Sequence, residues 1–197
     1  KFKKLLFKNK KKIITDLDLF FLKNNVKKSI VITGTNGKST TCSLIHHILK
    51  KNKIKNKLAG NIGKPVLDLK FIKKEVYIIE ASSFQLEYSQ FIKPYCAAIL
   101  NISPDHLDWH GSLKKYIKSK TKIFNNQTRS DIAFLNDLNL KKIYRRNNFL
   151  GKLKFIKNFP EELKNNKNRY LMLESNIDNV KFAYFITKLF NINKKNF

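Results

Sequence analysis

Cysteine is nearly missing from this 197-residue chain. Cys42 and Cys96 are the only two, far apart and on segments that read as a helix and a strand, which excludes a disulfide scaffold and a cysteine-ligated zinc site. The expected compartment is therefore the reducing cytoplasm. Long apolar runs are missing too: none approaches the roughly 18 residues a membrane helix needs, and the basic start KFKKLLF is too short for a signal peptide. No membrane insertion is expected. Acidic residues are scarce, 14 against 41 basic ones, for a net charge of +27. Charge alone would suggest a polyanionic partner. The lysines, however, are spread along the whole chain among many asparagines, isoleucines and phenylalanines, as a codon bias toward AT would place them. No RNA-binding or helix-turn-helix signature accompanies them, so no nucleic-acid partner is expected.

What is present suffices for one substantial domain, since 42% of the residues are hydrophobic. Strand-like and helix-like segments alternate, which predicts an α/β fold with a mostly parallel sheet flanked by helices. The candidate strands are residues 30–33, 76–79, 97–102 and 131–135. The clearest helix is 38–51, with Leu44, Ile45, Ile48 and Leu49 on its apolar face and His46, His47, Lys50 and Lys51 on a solvated one. Residues 158–168 read as a surface loop, and 176–190 as a buried final helix.

The most informative stretch is residues 31–41, VITGTNGKSTT: an apolar strand, a glycine-bearing loop, then Lys-Ser-Thr opening a helix. It reads as a nucleotide phosphate site. Gly34 and Gly37 let the backbone turn its N–H groups inward, with Thr35 and Asn36 between them. Lys38 supplies a cation, and the hydroxyl of Ser39 or Thr40 suits Mg²⁺. The generic P-loop pattern would require glycine at Ile32, so TGTNGKST is a variant of it.

In open α/β sheets, ligands bind beyond the carboxyl ends of the strands. The second candidate strand delivers Glu80 there, suited to Mg²⁺ beside a phosphate loop. The third leads to Asp105 and His106. His106 and His110 are spaced as zinc ligands on a helix would be, but Pro104 and Gly111 bracket a short turn, so His106 facing Mg²⁺ is the better reading. His110 reads as a satisfied loop histidine. On the helix after Gly111 the inward face is Leu113, Tyr116, Ile117, Thr121 and Phe124, and Lys120 shares it. A lysine there either snorkels or is desolvated, neutral and reactive.

The segments TGTNGKST, GNIG at 60–63, EASSFQLE at 80–87, LNISPDHLD at 100–108 and YIKSK at 116–120 together resemble the Mur ligase family of peptidoglycan synthesis, relatives of folylpolyglutamate synthetase. SFQLE points to the branch that adds D-glutamate to UDP-N-acetylmuramoyl-L-alanine. The resemblance implies a P-loop-type central domain using ATP and Mg²⁺ in an ADP-forming ligase. It implies that Gly34 through Thr40 cradle the phosphates, with Lys38 and Ser39 foremost. Ser39, Glu80 and His106 would be Mg²⁺ ligands, Asn61 and Ser82 substrate contacts, and Lys120 a carbamylated lysine able to hold a second Mg²⁺. Lys38, Lys120 and His106 are the expected catalytic residues. Asn179, in the reduced motif SNIDN at 175–179, would contact adenine, and Asn136-Asp137 resembles another family turn in reduced form.

By the same resemblance residues 1–24 are the end of an N-terminal domain or linker, and 25–197 the ATP-binding central domain, with the C-terminal domain missing. The chain begins without methionine, so its true beginning is expected upstream, and the isolated segment is expected to be inactive and monomeric. The alternatives are another Mur-type or folylpolyglutamate ligase, or a basic nucleotide-dependent nucleic-acid-binding protein.

Overall fold

A computed structural model describes residues 2–24, 26–164 and 168–192. Six parallel strands form one sheet: β1 (Ser29–Thr33), β2 (Asn56–Gly60), β3 (Val76–Glu80), β4 (Cys96–Ile99), β5 (Ile132–Leu135) and β6 (Lys152–Phe155), in the spatial order β2-β3-β1-β4-β5-β6. The eight helices among the described residues are α1 (Phe2–Lys8), α2 (Asp16–Lys23), α3 (Lys38–Lys51), α4 (Ser83–Tyr88), α5 (Leu107–His110), α6 (Leu113–Thr121), α7 (Leu138–Arg146) and α8 (Glu174–Thr187).

The four central strands form because their runs are apolar on both faces, as a parallel sheet covered on each side requires. Successive residues alternate between two cores. Val31, Ile79, Ala97 and Leu135 enter one, together with Leu17 and Phe20 of α2, Phe124 in the 3-10 turn after α6, and Tyr144 of α7. Ile30, Ile32, Ile78 and Phe134 enter the other, against Ile45 and Leu49 of α3 and Phe182 and Ile186 of α8. Cys42 and Cys96 lie in this second core as free thiols, and burial pushes both thiols up, away from the thiolate.

Helix α2 is set by its caps. The Thr15 side chain accepts from Asp18 N while the Asp18 carboxylate accepts from Thr15 N. Asp18 is fully buried and also accepts from Gln90 N at 2.9 Å and Phe91 N at 2.7 Å, so three backbone donors hold its charge. The α2 segment thereby packs into the core of the sheet domain. The expected division after residue 24 falls on Asn25, which lies outside the described residues.

Several expectations need correction. Strands β2 and β6 were not expected; both are sheet edges rich in polar residues (NKLAG and KLKF), and β6 alternates exposed lysines with half-buried Leu153 and Phe155, as managed edges do. The third central strand ends at Ile99 rather than 102. The final helix starts two residues earlier, at Glu174, and its last turn is 3-10 over Lys188–Phe190. The loop expected at 158–168 contains a 3-10 turn whose Leu163 packs against Val180 and Tyr184, while 165–167 lie outside the described residues. Leu113, expected to face inward, is 38% exposed. No helix among the described residues is long and apolar enough to cross a membrane.

Candidate phosphate-binding site

The parallel direction of β1, β3 and β4 brings the loop after β1, Glu80 at the end of β3 and the segment after β4 to one rim. The loop is pinned from β4. Asn101 Oδ1 accepts from Asn36 N at 2.9 Å, its Nδ2 donates to Asn36 O at 3.1 Å, and its carbonyl accepts from Thr35 N at 3.0 Å. The Thr35 hydroxyl accepts from Ser103 N at 3.0 Å. Gly37 at the start of α3 has φ +80°, and a Cβ there would lie 2.0 Å from Asn179 Oδ1. Glycine is thus needed at this position both for the turn and for the close approach of α8.

Lys38 curls back over the loop, its Nζ donating to Gly34 O at 3.1 Å and Thr35 O at 2.9 Å. Glu80 is 1% exposed. Its Oε2 accepts from the Ser39 hydroxyl and its Oε1 from Asn61 Nδ2, both at 2.8 Å. Ser39 rather than Thr40 therefore meets Glu80. The second glycine turn serves the same carboxylate: Gly60 has φ +100°, and a Cβ there would stand 2.3 Å from Glu80 O. That tight passage delivers Asn61 to Glu80.

Lys120 resolves its two readings toward desolvation. It is 2% exposed, and its Nζ donates to Gly34 O at 2.8 Å and to Thr33 Oγ1 at 3.4 Å and lies 4.7 Å from the Tyr116 ring centre. Burial, with neighbouring Lys38 adding repulsion, pushes its amine down to about 7, against the opposing pull of Asp105 and Glu80.

His106 occupies the left-handed region at φ +50°, an unusual conformation for a non-glycine residue and one that recurs at functional sites. Its ring packs 4.8 Å from that of Phe84, and its Nε2 is 3.4 Å from the Asp105 carboxylate. The short turn expected between Pro104 and Gly111 is the single-turn helix α5, with His106 as its N-cap and His110 as its last residue. They face different surroundings: the His106 side chain is 45% exposed, whereas His110 is buried with Nε2 3.1 Å from Ser83 Oγ.

Thr35, Lys38, Asn61, Ser82, His106 and Lys120 line one cleft of about 150 Å³. Ser82 sits at its edge as the N-cap of α4, its Oγ accepting from Gln85 N and donating to Gln85 Oε1. Asn179 is buried beside Gly37 and accepts from Thr41 Oγ1 at 3.2 Å. Of the loop residues singled out from sequence, Gly34, Thr35, Lys38 and Ser39 are tied to the charged groups Lys38, Lys120 and Glu80, whereas Asn36 and Gly37 meet Asn101 and Asn179. Sequence reasoning passed over Phe84 and Ser83, which also line the cleft, and Asn101 and Thr33, which orient the loop and Lys120. The signal for Asn101 was its place beside Pro104-Asp105 at the end of a strand.

Glu80 and Ser39 are paired to each other and His106 lines the adjoining cleft; carboxylate, hydroxyl and imidazole are donor types that hard divalent cations accept, although no cluster of three or more His, Cys, Asp or Glu able to hold a metal is present among the described residues. A family model described as the Mur ligase middle domain matches residues 32–194. The chain belongs to the Mur ligase family.

Within the family, the segment is 48% identical over 124 residues to the UDP-N-acetylmuramoylalanine--D-glutamate ligase of Rickettsia prowazekii, covering 63% of the chain and 28% of that protein. It is 41% identical over 150 residues to the enzyme of that name in a Thermotoga species, covering 75% and 34%. The chain thus spans about a third or less of the length of the curated Mur ligases it matches. The fold matches MurF ligase from Thermotoga maritima, solved in complex with ADP, with a TM-score of 0.66 at 17% identity, covering 90% of this chain and 49% of that one. It also matches Helicobacter pylori folylpolyglutamate synthetase with a TM-score of 0.61 at 14% identity, covering 91% and 59%. These two show the Mur-type central fold.

Proposed function

We propose that this domain is the ATP-binding core of a cytoplasmic, ADP-forming ligase that joins D-glutamate to UDP-N-acetylmuramoyl-L-alanine in peptidoglycan synthesis. The observation that carries the reading is the convergence of Lys38, His106 and Lys120 on one cleft beyond the carboxyl ends of β1, β3 and β4, with the Ser39–Glu80 pair joined to it through Asn61. The names of the Rickettsia prowazekii and Thermotoga relatives support the choice of D-glutamate.

Each residue has a part in that chemistry. The N–H groups of the loop from Gly34 to Thr40 and the Lys38 ammonium hold the ATP phosphates, and Lys38 stabilises charge as the γ-phosphoryl group transfers. Ser39, Glu80 and His106, with Lys120 as its carbamate, would hold Mg²⁺, which when bound offsets the repulsion between the phosphates and the anionic substrate. Lys120 reaches the carbamate because its depressed amine is neutral for part of the time near neutral pH and so can attack CO₂. Asn61 and Ser82 contact the muramoyl substrate, and Asn179, beside Gly37 at the loop, contacts the adenine.

The substrate carboxylate attacks the γ-phosphorus in line and forms an acyl phosphate with release of ADP. The D-glutamate amine then adds to the acyl carbon, phosphate leaves, and the amine loses a proton as the amide forms. Alignment of two anionic reactants is the main task of the site. Binding energy from substrate parts remote from the reacting atoms contributes to that alignment, so the isolated chain binds Mg·ATP weakly and does not ligate.

The test is a chimaera in which this domain replaces the matched segment of the Rickettsia prowazekii relative. ADP release dependent on both UDP-N-acetylmuramoyl-L-alanine and D-glutamate, with hydroxylamine trapping the acyl phosphate as a hydroxamate, is the expected result. Turnover that responds to a different amino acid, or ADP release indifferent to both substrates, overturns the assignment.

A further inference from the structure

Helix α4 faces two ways. Its start, Ser82 to Phe84, lines the cleft, while the rest of the same motif faces the segment that precedes β1. Gln85 Nε2 donates to the Asp16 carboxylate at 3.2 Å, Gln90 Nε2 donates to Ile13 O at 2.9 Å, the Ser89 and Thr15 hydroxyls are 2.9 Å apart, and Lys10 pairs with Glu87. SFQLE is thus only half a cleft motif, and Gln85 and Glu87 serve the upstream segment.

One contact path joins the two halves. Glu87 is 7% exposed and His110 2%. Glu87 Oε2 lies 3.8 Å from His110 Nδ1, and His110 Nε2 lies 3.1 Å from Ser83 Oγ in the cleft wall. His110 is the last residue of α5, whose N-cap is His106, so fixing one end of this single turn fixes the other. The rings of both histidines pack on Phe84, at 4.8 Å for His106 and 5.8 Å for His110. The order serine, histidine, glutamate resembles that of a hydrolase triad, but 3.8 Å from imidazole to carboxylate is beyond hydrogen-bond range. The array suits holding a geometry, not relaying a proton.

We infer that Glu87 and His110 are positioning residues of the phosphate cleft, fixing Ser83, Phe84 and His106 in a geometry set by where the Lys10 segment sits. This rests on the reading of the cleft as a Mg·nucleotide site. It gives the upstream segment a direct mechanical line to the reacting groups, through Lys10, Glu87, His110 and Ser83.

Trp109, the one tryptophan of the chain, packs edge-on against Phe84 at 5.5 Å and reports on this geometry without any ligand. The experiment compares the 197-residue chain with Lys10→Met, Lys10→Arg, Glu87→Gln and, as a control that breaks an exposed pair elsewhere, Lys164→Ala. Acrylamide quenching of Trp109, Mg·ADP affinity by calorimetry and far-UV circular dichroism are read for each.

Lys10→Met and Glu87→Gln are expected to raise the quenching constant about twofold through local loosening and to weaken Mg·ADP about threefold. The dichroism should stay unchanged, and Lys10→Arg and the control should match the wild type. Lys10 does not line the cleft and pairs with Glu87 rather than with the tryptophan or the loop, so Lys10→Met decides even if Glu87→Gln does not fold. Wild-type quenching and Mg·ADP affinity in Lys10→Met overturn the inference. A wild-type chain that binds Mg·ADP no better than its Lys38→Ala variant removes the nucleotide reading instead, and the quenching comparison still decides the coupling.

Discussion

The two rims of the sheet teach opposite lessons about what makes a site. At the amino ends of the strands lies a cavity of about 620 Å³ lined by Lys23, Lys27, Lys93 and Tyr95, with Thr128 and Asp131 at its edge. The cleft at the carboxyl ends is about a quarter of that size, at 150 Å³. Yet the large cavity's one carboxylate, Asp131, is tied up locally by Thr128 N and Oγ1, and its lysines are part of the scattered surface charge. The small cleft has a buried lysine in its wall, and beside it stand a buried glutamate held to its Asn61 and two glycine turns that no other residue type fits. Desolvated charges held by neighbouring side chains, not volume, separate the functional rim from the ordinary one.

The sharpest way to break this comparison is to move charge at each rim. Lys38→Ala should weaken Mg·ATP binding by roughly ten- to a hundredfold, the worth of a charge-assisted contact to phosphate, with little change in melting temperature because the side chain bonds only to its own loop. Calorimetric titration checks the first and thermal unfolding the second.

Next in size is Gly37→Ala, where the new methyl group would meet Asn179 Oδ1 and the backbone sits at φ +80°. A loss of about 1–3 kcal/mol in urea unfolding is expected, together with weaker nucleotide binding.

Lys120 gives a pH-dependent contrast. Its folded pKa, about 7, is below the unfolded value, so between pH 7 and about 10.5 the unfolded chain binds more protons at this residue. Stability therefore rises with pH across that window, by at most about 1.4 kcal/mol per unit from this group. Lys120→Met should flatten that rise and stabilise the chain most below pH 7. Lys122, held down to about 8 by burial and by Lys10, adds a part of the same sign that remains in the variant. Denaturant unfolding at a series of pH values measures both.

The smallest effect belongs to the other rim. Lys93→Ala should change Mg·ATP affinity by less than about twofold, since an exposed surface charge contributes little.

The same contrast explains what could be read from the sequence. The four central strands were legible because burial on both faces demands unbroken apolar runs such as IVIT and VYIIE. The edge strands NKLAG and KLKF were not, since one side of each meets water and lysine interrupts the run. At the cleft, Lys38, Ser39 and Glu80 could be placed because each follows a strand whose direction was inferable. His106 was placed near the rim, but its left-handed backbone and its packing on Phe84 come from tertiary contacts. Lys120 stayed open between two readings because helical spacing shows which face a lysine is on but not that Thr33 and Gly34 wait there as acceptors. Asn179 reaches Gly37 only because α8 crosses α3, a long-range packing that no local motif encodes.

The most direct measurement of the central claim is paramagnetic broadening of the chain's NMR signals by Mn·ATP, with Mn²⁺ standing in for Mg²⁺. The account predicts selective broadening of residues 34–40, Asn61, Glu80, His106 and Lys120, with Lys23, Lys27, Lys93 and Ser130 left sharp. Broadening centred on the lysine-lined cavity at the amino rim, with the loop after β1 unaffected, would contradict it.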